Sequence, residues 1–380
     1  MKKAYNETRV TNLAIEKTAA KWLSQKLISE KQFASVKENF PNNFYRPALF
    51  IKIGLFLFAC IACSFFTGFL SLLLSETGRY SYIPICLLSF AGFVFMLNHQ
   101  IRNRRLFHSG VDNALLYASI ASLIGCLFLF FENRLEVWQY CLVILAVLSL
   151  AIYFYADLIC SVAFFVTYLV LPANLMLQSA MGKALLPFGV MILSALMYVA
   201  AEKVAHTYHQ DCRKIFKLLS LFSFYFGSNY LVVRETNALL MGLSETIASP
   251  QIPFAPLFWL FTITIPSLYL IYGLKNKNQM LMLTGLICLG FSGYTFCFYY
   301  NFLTLAQTLI AAGVFMILFA LWAVRYLKEP RHGISDQLSR QRETYELESF
   351  FAAQFSNHPS AGYIDTGDGS FSGAGAGGDY

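Results

Sequence analysis

The chain has 380 residues and a formal net charge of +7, and it is 57% hydrophobic and 17% aromatic but only 13% charged. Soluble domains run near ~25% charged, so a chain this poor in charge could not cover its own surface in water. The same numbers exclude disorder over most of the length and a disulfide-stapled scaffold. With a mean hydropathy of +0.55, the fold class is all-α: a polytopic transmembrane helix bundle.

The first 47 residues are polar and read as a cytoplasmic two-helix cap. Ile15, Ala19, Trp22, Leu23 and Leu27 fall at helical spacing on one face. Ser29 followed by Gln32 is a capping-box pattern and predicts a second helix carrying Phe33, Val36 and Phe40, ended by Pro41-Asn42-Asn43. No early apolar core precedes a small-residue cleavage site, so no signal peptide is expected. The run from Trp22 to Phe33 resembles the opening of a bacterial family of integral membrane proteins, domain of unknown function 2157. It shares a Trp, a Leu-Ile-Ser turn and a Gln-containing second helix ahead of the first span. The resemblance implies an integral membrane protein without established chemistry.

A spanning helix needs ~20 apolar residues to cover a ~30 Å hydrocarbon core. About ten stretches between 48 and 326 approach that length: 48–75, 80–98, 113–131, 137–156, 158–177, 184–201, 215–233, 254–274, 279–300 and 302–326. They are continuous apolar runs, without the polar/apolar alternation of barrel strands. Numbered from a cytoplasmic N-terminus, these spans place 24 of the 28 Lys and Arg residues on one side, leaving Arg79, Arg134, Lys183 and Arg234 on the other. Positive charge collects on the cytoplasmic side, so both termini are expected there, in a bacterial inner membrane. The run from Val137 to Leu177 would be roughly 60 Å long as one helix, which requires a break near Asp157. Ala114, Ala118, Ser122 and Cys126 form a small-residue ridge that places the third span inside the bundle.

Ionisable and amide side chains at membrane depth are the pointers to function. Asp157 sits at the tight turn between the fourth and fifth spans, where it can cap the fifth. Asn174 and Gln178 follow Pro172 on the fifth span, and Pro187 stands in the sixth, so the two spans read as an interrupted hairpin. Asn229 follows Gly227 and Ser228 in the seventh, which ends at Arg234 and Glu235. The 234–253 loop, with Glu245, Pro250 and Pro253, would be a lid for a substrate entering from outside. Glu202, His206 and His209 fall on one face of a continuous helix and are of zinc-ligand type. They lack the His-Glu-x-x-His arrangement and read instead as a solvated basic helix end, so no metal or other cofactor is expected.

Cys60-Ile61-Ala62-Cys63 has redox-motif spacing but lies in an apolar helix, where thiols behave as small hydrophobes. Residues 327–356 suit a cytoplasmic amphipathic helix, and 357–380 are Gly- and Ser-rich, as in a disordered tail. No catalytic motif and no nucleic-acid module is present. The sequence thus predicts a non-enzymatic multi-pass membrane protein whose partners are the lipid bilayer and, through its terminal helices, a cytoplasmic protein. Two roles stay open: small-solute transport or sensing through a pathway lined by spans five to seven, and a membrane scaffold.

Overall fold

The computed structural model describes residues 3–25, 27–74, 82–131, 134–243, 249–276 and 278–300, with scattered helical positions from 307 to 325. Among these residues the chain forms twelve α-helices and no strand beyond one isolated bridge, Tyr45 to Leu106. Helices α1 (Glu7–Ser24) and α2 (Glu30–Asn39) form the cap. They are followed by α3 (Leu49–Leu74), α4 (Tyr82–Arg104), α5 (Val111–Phe131), α6 (Val137–Tyr155), α7 (Leu158–Leu177) and α8 (Ala180–Glu202). After a 3-10 turn at Thr207–His209 come α9 (Gln210–Ser228), α10 (Tyr230–Leu240), α11 (Ala255–Lys275) and α12 (Gln279–Tyr300). Apart from those scattered positions, the expected tenth span, the 327–356 helix and the 357–380 tail lie outside the described residues, as does Glu245.

Eight of these helices are long and apolar enough to cross a bilayer, and nine spans result when the bent pair α9–α10 counts as one. The most apolar of them, α3, is also largely uncovered by protein: Phe50 is 84% exposed and Leu72 82%. Leaving one such side chain in water forfeits about 1.5–3 kcal/mol, and α3 exposes many. Hydrocarbon removes that cost. Where the helices do meet, the contacts hold small polar side chains, among them the fully buried Ser89, Ser161, Ser194 and Ser228. This is the packing chemistry of helices in lipid.

The helices assemble around two cores. One joins the cap to α3–α7 through Leu97, Leu115, Leu116, Leu148 and Cys160. The other gathers Met191, Tyr225, Ile265 and Cys288 from α8, α9, α11 and α12. Helix α9 belongs to both, because Cys212 near its start packs in the first and Tyr225 in the second. The ridge helix α5 packs against both α3 and α4.

Three expectations change. The seventh span is not one straight helix: it bends by 75° at Asn229. Conversely, Pro172 and Pro187 lie inside the unbroken helices α7 and α8. A proline removes one intrahelical bond, but α7 and α8 are held together elsewhere. The Tyr168 hydroxyl donates to the Leu193 carbonyl, and a Cβ on Gly182 would sit 2.0 Å from the Met176 carbonyl oxygen. The cap buries a face that overlaps the one the sequence suggested at Ala19 but otherwise differs from it. Val10, Leu13 and Ala19 are buried, whereas Trp22 is 47% and Leu27 67% exposed. The Ser29–Gln32 capping box forms as its spacing predicts.

Candidate functional site

A cleft of about 980 Å³ opens between the cap and the membrane helices. Its frame is built locally. Helix α6 ends at Tyr155, Ala156 takes a left-handed conformation (φ 48°), and Asp157 caps α7 by accepting from the Cys160 N–H at 2.9 Å. The carbonyl of Phe154, left over at the end of α6, accepts from the Ala4 N–H and the Tyr208 hydroxyl. That shared acceptor ties the N-terminal segment and the start of α9 to one helix end.

Two buried carboxylates, Asp157 in the lining and Asp112 behind it, organise the side chains around the cleft. Asp157 accepts from Asn113 Nδ2 at 2.7 Å and from the Tyr117 hydroxyl at 3.0 Å. Asp112 accepts from the Tyr5 hydroxyl at 2.7 Å and from the backbone N–H groups of His108 and Ser109 at 2.7 and 2.8 Å. Burial, and then the Asp112 charge, hold the Tyr5 phenol well above the usual tyrosine range, so it remains a donor. His108 Nδ1 lies 3.9 Å from Asp157 Oδ2. Burial depresses the imidazole below its ordinary range despite both carboxylates, which leaves it neutral near pH 7. One polar atom is left over: Asn113 Oδ1 is buried and has no hydrogen-bond partner.

The cleft lining is also rich in cations. Lys17 and Lys21 come from α1, Arg46 and Lys52 from around the start of α3, and Lys214 from α9. Lys214 pairs with Asp211 at 3.1 Å. Among the described residues, Lys17, Lys21, Arg46 and Lys52 have no carboxylate at ion-pairing distance. Lys17 is depressed below the ordinary lysine range, first by burial and then by Arg46, with Asp211 opposing the shift and Lys214 adding to it. Burial lowers Arg46 as well, against the nearby charges of Glu16 and Asp211. Cations that outnumber the carboxylates in a roomy concavity make a ready site for a negative group.

The second polar cluster lies at the α9–α10 break, about 25 Å along α9 from Cys212. Asn229 is fully buried. Its Nδ2 donates to the Tyr225 hydroxyl at 2.9 Å and to Thr295 Oγ1 at 3.1 Å, while Oδ1 caps α10 at the Val232 N–H. Tyr225 contacts Ser292 at 2.8 Å, and Ser292 donates to the Thr262 carbonyl. The Tyr230 N–H, exposed by the bend, donates to Thr262 Oγ1 at 3.0 Å. Every group here has found a protein partner. Further along α10, Arg234 donates to the Ser249 carbonyl and lies 4.9 Å from the Tyr299 ring centroid, while Glu235 accepts from the Tyr299 hydroxyl at 2.7 Å.

The residues singled out from sequence therefore separate into three places. Asp157 belongs to the cap cleft. Asn229 lies in the α9–α10 network, with Arg234 and Glu235 on the same short helix. Asn174 stands half-buried in the last turn of α7, and Gln178 is exposed just past its end. The supposed ligand face of Glu202, His206 and His209 does not exist, because α8 stops at Glu202 and the chain turns before a new helix begins. Glu202 instead pairs with Lys217, and His206 lies 3.4 Å from Glu7. Among the described residues no three His, Cys, Asp or Glu side chains gather as metal ligands. All nine cysteines are free thiols. Sequence reading missed the cleft cations as a site, together with Tyr5, His108, Asp112 and Asn113. Their one local signal is Lys52, a charge one turn inside an apolar helix.

Compared with protein-family models, curated proteins and solved structures, the chain matches none of them.

Proposed function

We propose that the chain is a multi-pass membrane protein that recognises an anionic ligand in the cleft beneath its N-terminal cap. The reading rests on one observation: among the described residues, four cations from α1 and the start of α3 line one cavity with no carboxylate at ion-pairing distance. The cap face also carries Arg102, Arg104, Lys203 and Lys217, and the excess of Lys and Arg supports a cytoplasmic cap and cytoplasmic termini in an inner membrane. Recognition is favoured over passage. Beyond Asp157 the next turns of α5 and α7 meet in the packed cluster of Leu116, Ile120, Cys160 and Phe164. A sensing or regulatory membrane protein fits that geometry, in keeping with the likeness of Trp22–Phe33 to domain of unknown function 2157. The scaffold reading draws its support from Trp22 and Leu27, apolar side chains on the outer surface of the cap.

The test uses inorganic pyrophosphate as a soluble probe on the detergent-purified full chain, read by calorimetry. Binding is expected, and Lys17→Gln or Arg46→Gln is expected to weaken it by about tenfold, the usual weight of a hydrogen bond to a charged group. Undetectable binding, or affinity indifferent to both substitutions, overturns the reading.

A further inference from the structure

The cleft is not polar throughout. Beside its cations it is lined by Leu49, Ile53, Phe56, Leu158 and Ile159. These side chains stand at the ends of α3 and α7, two helices long and apolar enough to cross the bilayer. Several of them also face outward: Leu49, Ile53 and Leu158 are exposed, and Ile159 is 60% exposed. One cavity therefore joins a cluster of unpaired cations to the bilayer-facing surface between two spans. A soluble anion would have no use for that apolar wall.

Resting on the anionic-ligand reading, we propose that the occupant is an anionic phospholipid, its phosphate held by Lys17, Arg46 and Lys52 and its acyl chain leaving between α3 and α7. Basic pockets between spanning helices at the cytoplasmic surface suit such head groups, because the phosphate finds fixed cations while the chain stays in hydrocarbon. An anion seated here would also relieve the crowding of Lys17 by Arg46 and Lys214. The cap closes over the site through Tyr5 and Asp112, so an occupied head group would be covered by α1. Phosphatidylglycerol, which carries both a phosphate charge and free hydroxyls, is the probe of choice.

The experiment delipidates the full chain in detergent, adds phosphatidylglycerol or phosphatidylcholine in mixed micelles, and measures retained lipid by native mass spectrometry. Phosphatidylglycerol is expected to be retained over phosphatidylcholine. The double variant Arg46→Gln/Lys52→Gln should reduce that preference by about thirtyfold, each cation contributing about a factor of five. Should that variant aggregate, the pair Lys17→Gln/Lys21→Gln on the exposed face of α1 serves the same purpose with less risk to the fold. Ile159→Asn, which makes the apolar wall polar without adding charge, should reduce lipid retention. Equal retention of the two lipids by the unaltered chain overturns the proposal, as does a preference that survives both double variants. If pyrophosphate binds but lipid does not, the lipid assignment alone falls. If neither binds, the anionic-ligand reading falls with it.

Discussion

Gly110 sits where two constraints meet. Its φ of +105° is one that side-chain-bearing residues rarely adopt, and a Cβ there would lie 2.3 Å from the Lys52 carbonyl oxygen. The glycine lets α3 approach the loop that carries His108 and Ser109, and so helps set where Lys52 enters the cleft. Gly110→Ala should lower stability by about 1–3 kcal/mol, measured as a fall in Tm of the purified protein. Gly54→Ala, two residues beyond Lys52 on α3 with open space around it, is the matched control. It should leave Tm unchanged or raise it, by up to about 1 kcal/mol of helix propensity. At this scale legibility depended on sequence distance. Asp157 as a cap of α7 could be read from the chain, because its acceptor role reaches only to Cys160. The Tyr5–Asp112 bond, across 107 residues, left no local trace, and neither did the unpaired Asn113 Oδ1.

Elements are decided by what can satisfy the backbone. Two prolines look like the natural places for a helix to fail, yet α7 and α8 run through them, and the real break falls at Gly227-Ser228-Asn229. In hydrocarbon an interrupted helix survives only where neighbours take up the freed groups. Asn229 does so from both sides, capping α10 and bridging to Tyr225 and Thr295, while Thr262 takes the Tyr230 N–H. The apolar pattern of 215–233 carries no sign of this, since the partners come from α11 and α12. Asn229→Leu should cost about 1–3 kcal/mol, the sum of a lost cap and lost interhelical bonds. Asn229→Ser, which can still cap, should recover part of it. Both are checked by denaturant-induced loss of helical circular dichroism in micelles. If Asn229→Leu is neutral, the bend is held by something other than this network.

At the scale of the whole molecule, the membrane class was legible from composition, and spans one to six, eight and nine from apolar run length, because lipid imposes both. The cap cleft was not legible, because its cations had been counted for orientation rather than seen to share a space. Two independent lines now bear on sidedness. Charge counting groups Lys17, Lys21, Lys203, Lys214 and Lys217 with Arg102 and Arg104. The fold groups them again, since the cap is tied to the end of α6, the start of α9 and the loop after α4. Lys183, at the start of α8, lies a full span away from that face. If the bilayer sorts these charges, a membrane-impermeant maleimide added to intact cells should label Lys183→Cys and spare Lys21→Cys, and permeabilised cells should label both. Both positions are exposed. The native thiols should contribute little background, because six are buried and the other three, Cys60, Cys86 and Cys297, are half-buried within apolar spans. The reverse labelling would place the cap outside the cell. The cleft cations would then face a leaflet without the anionic surface potential that makes them useful.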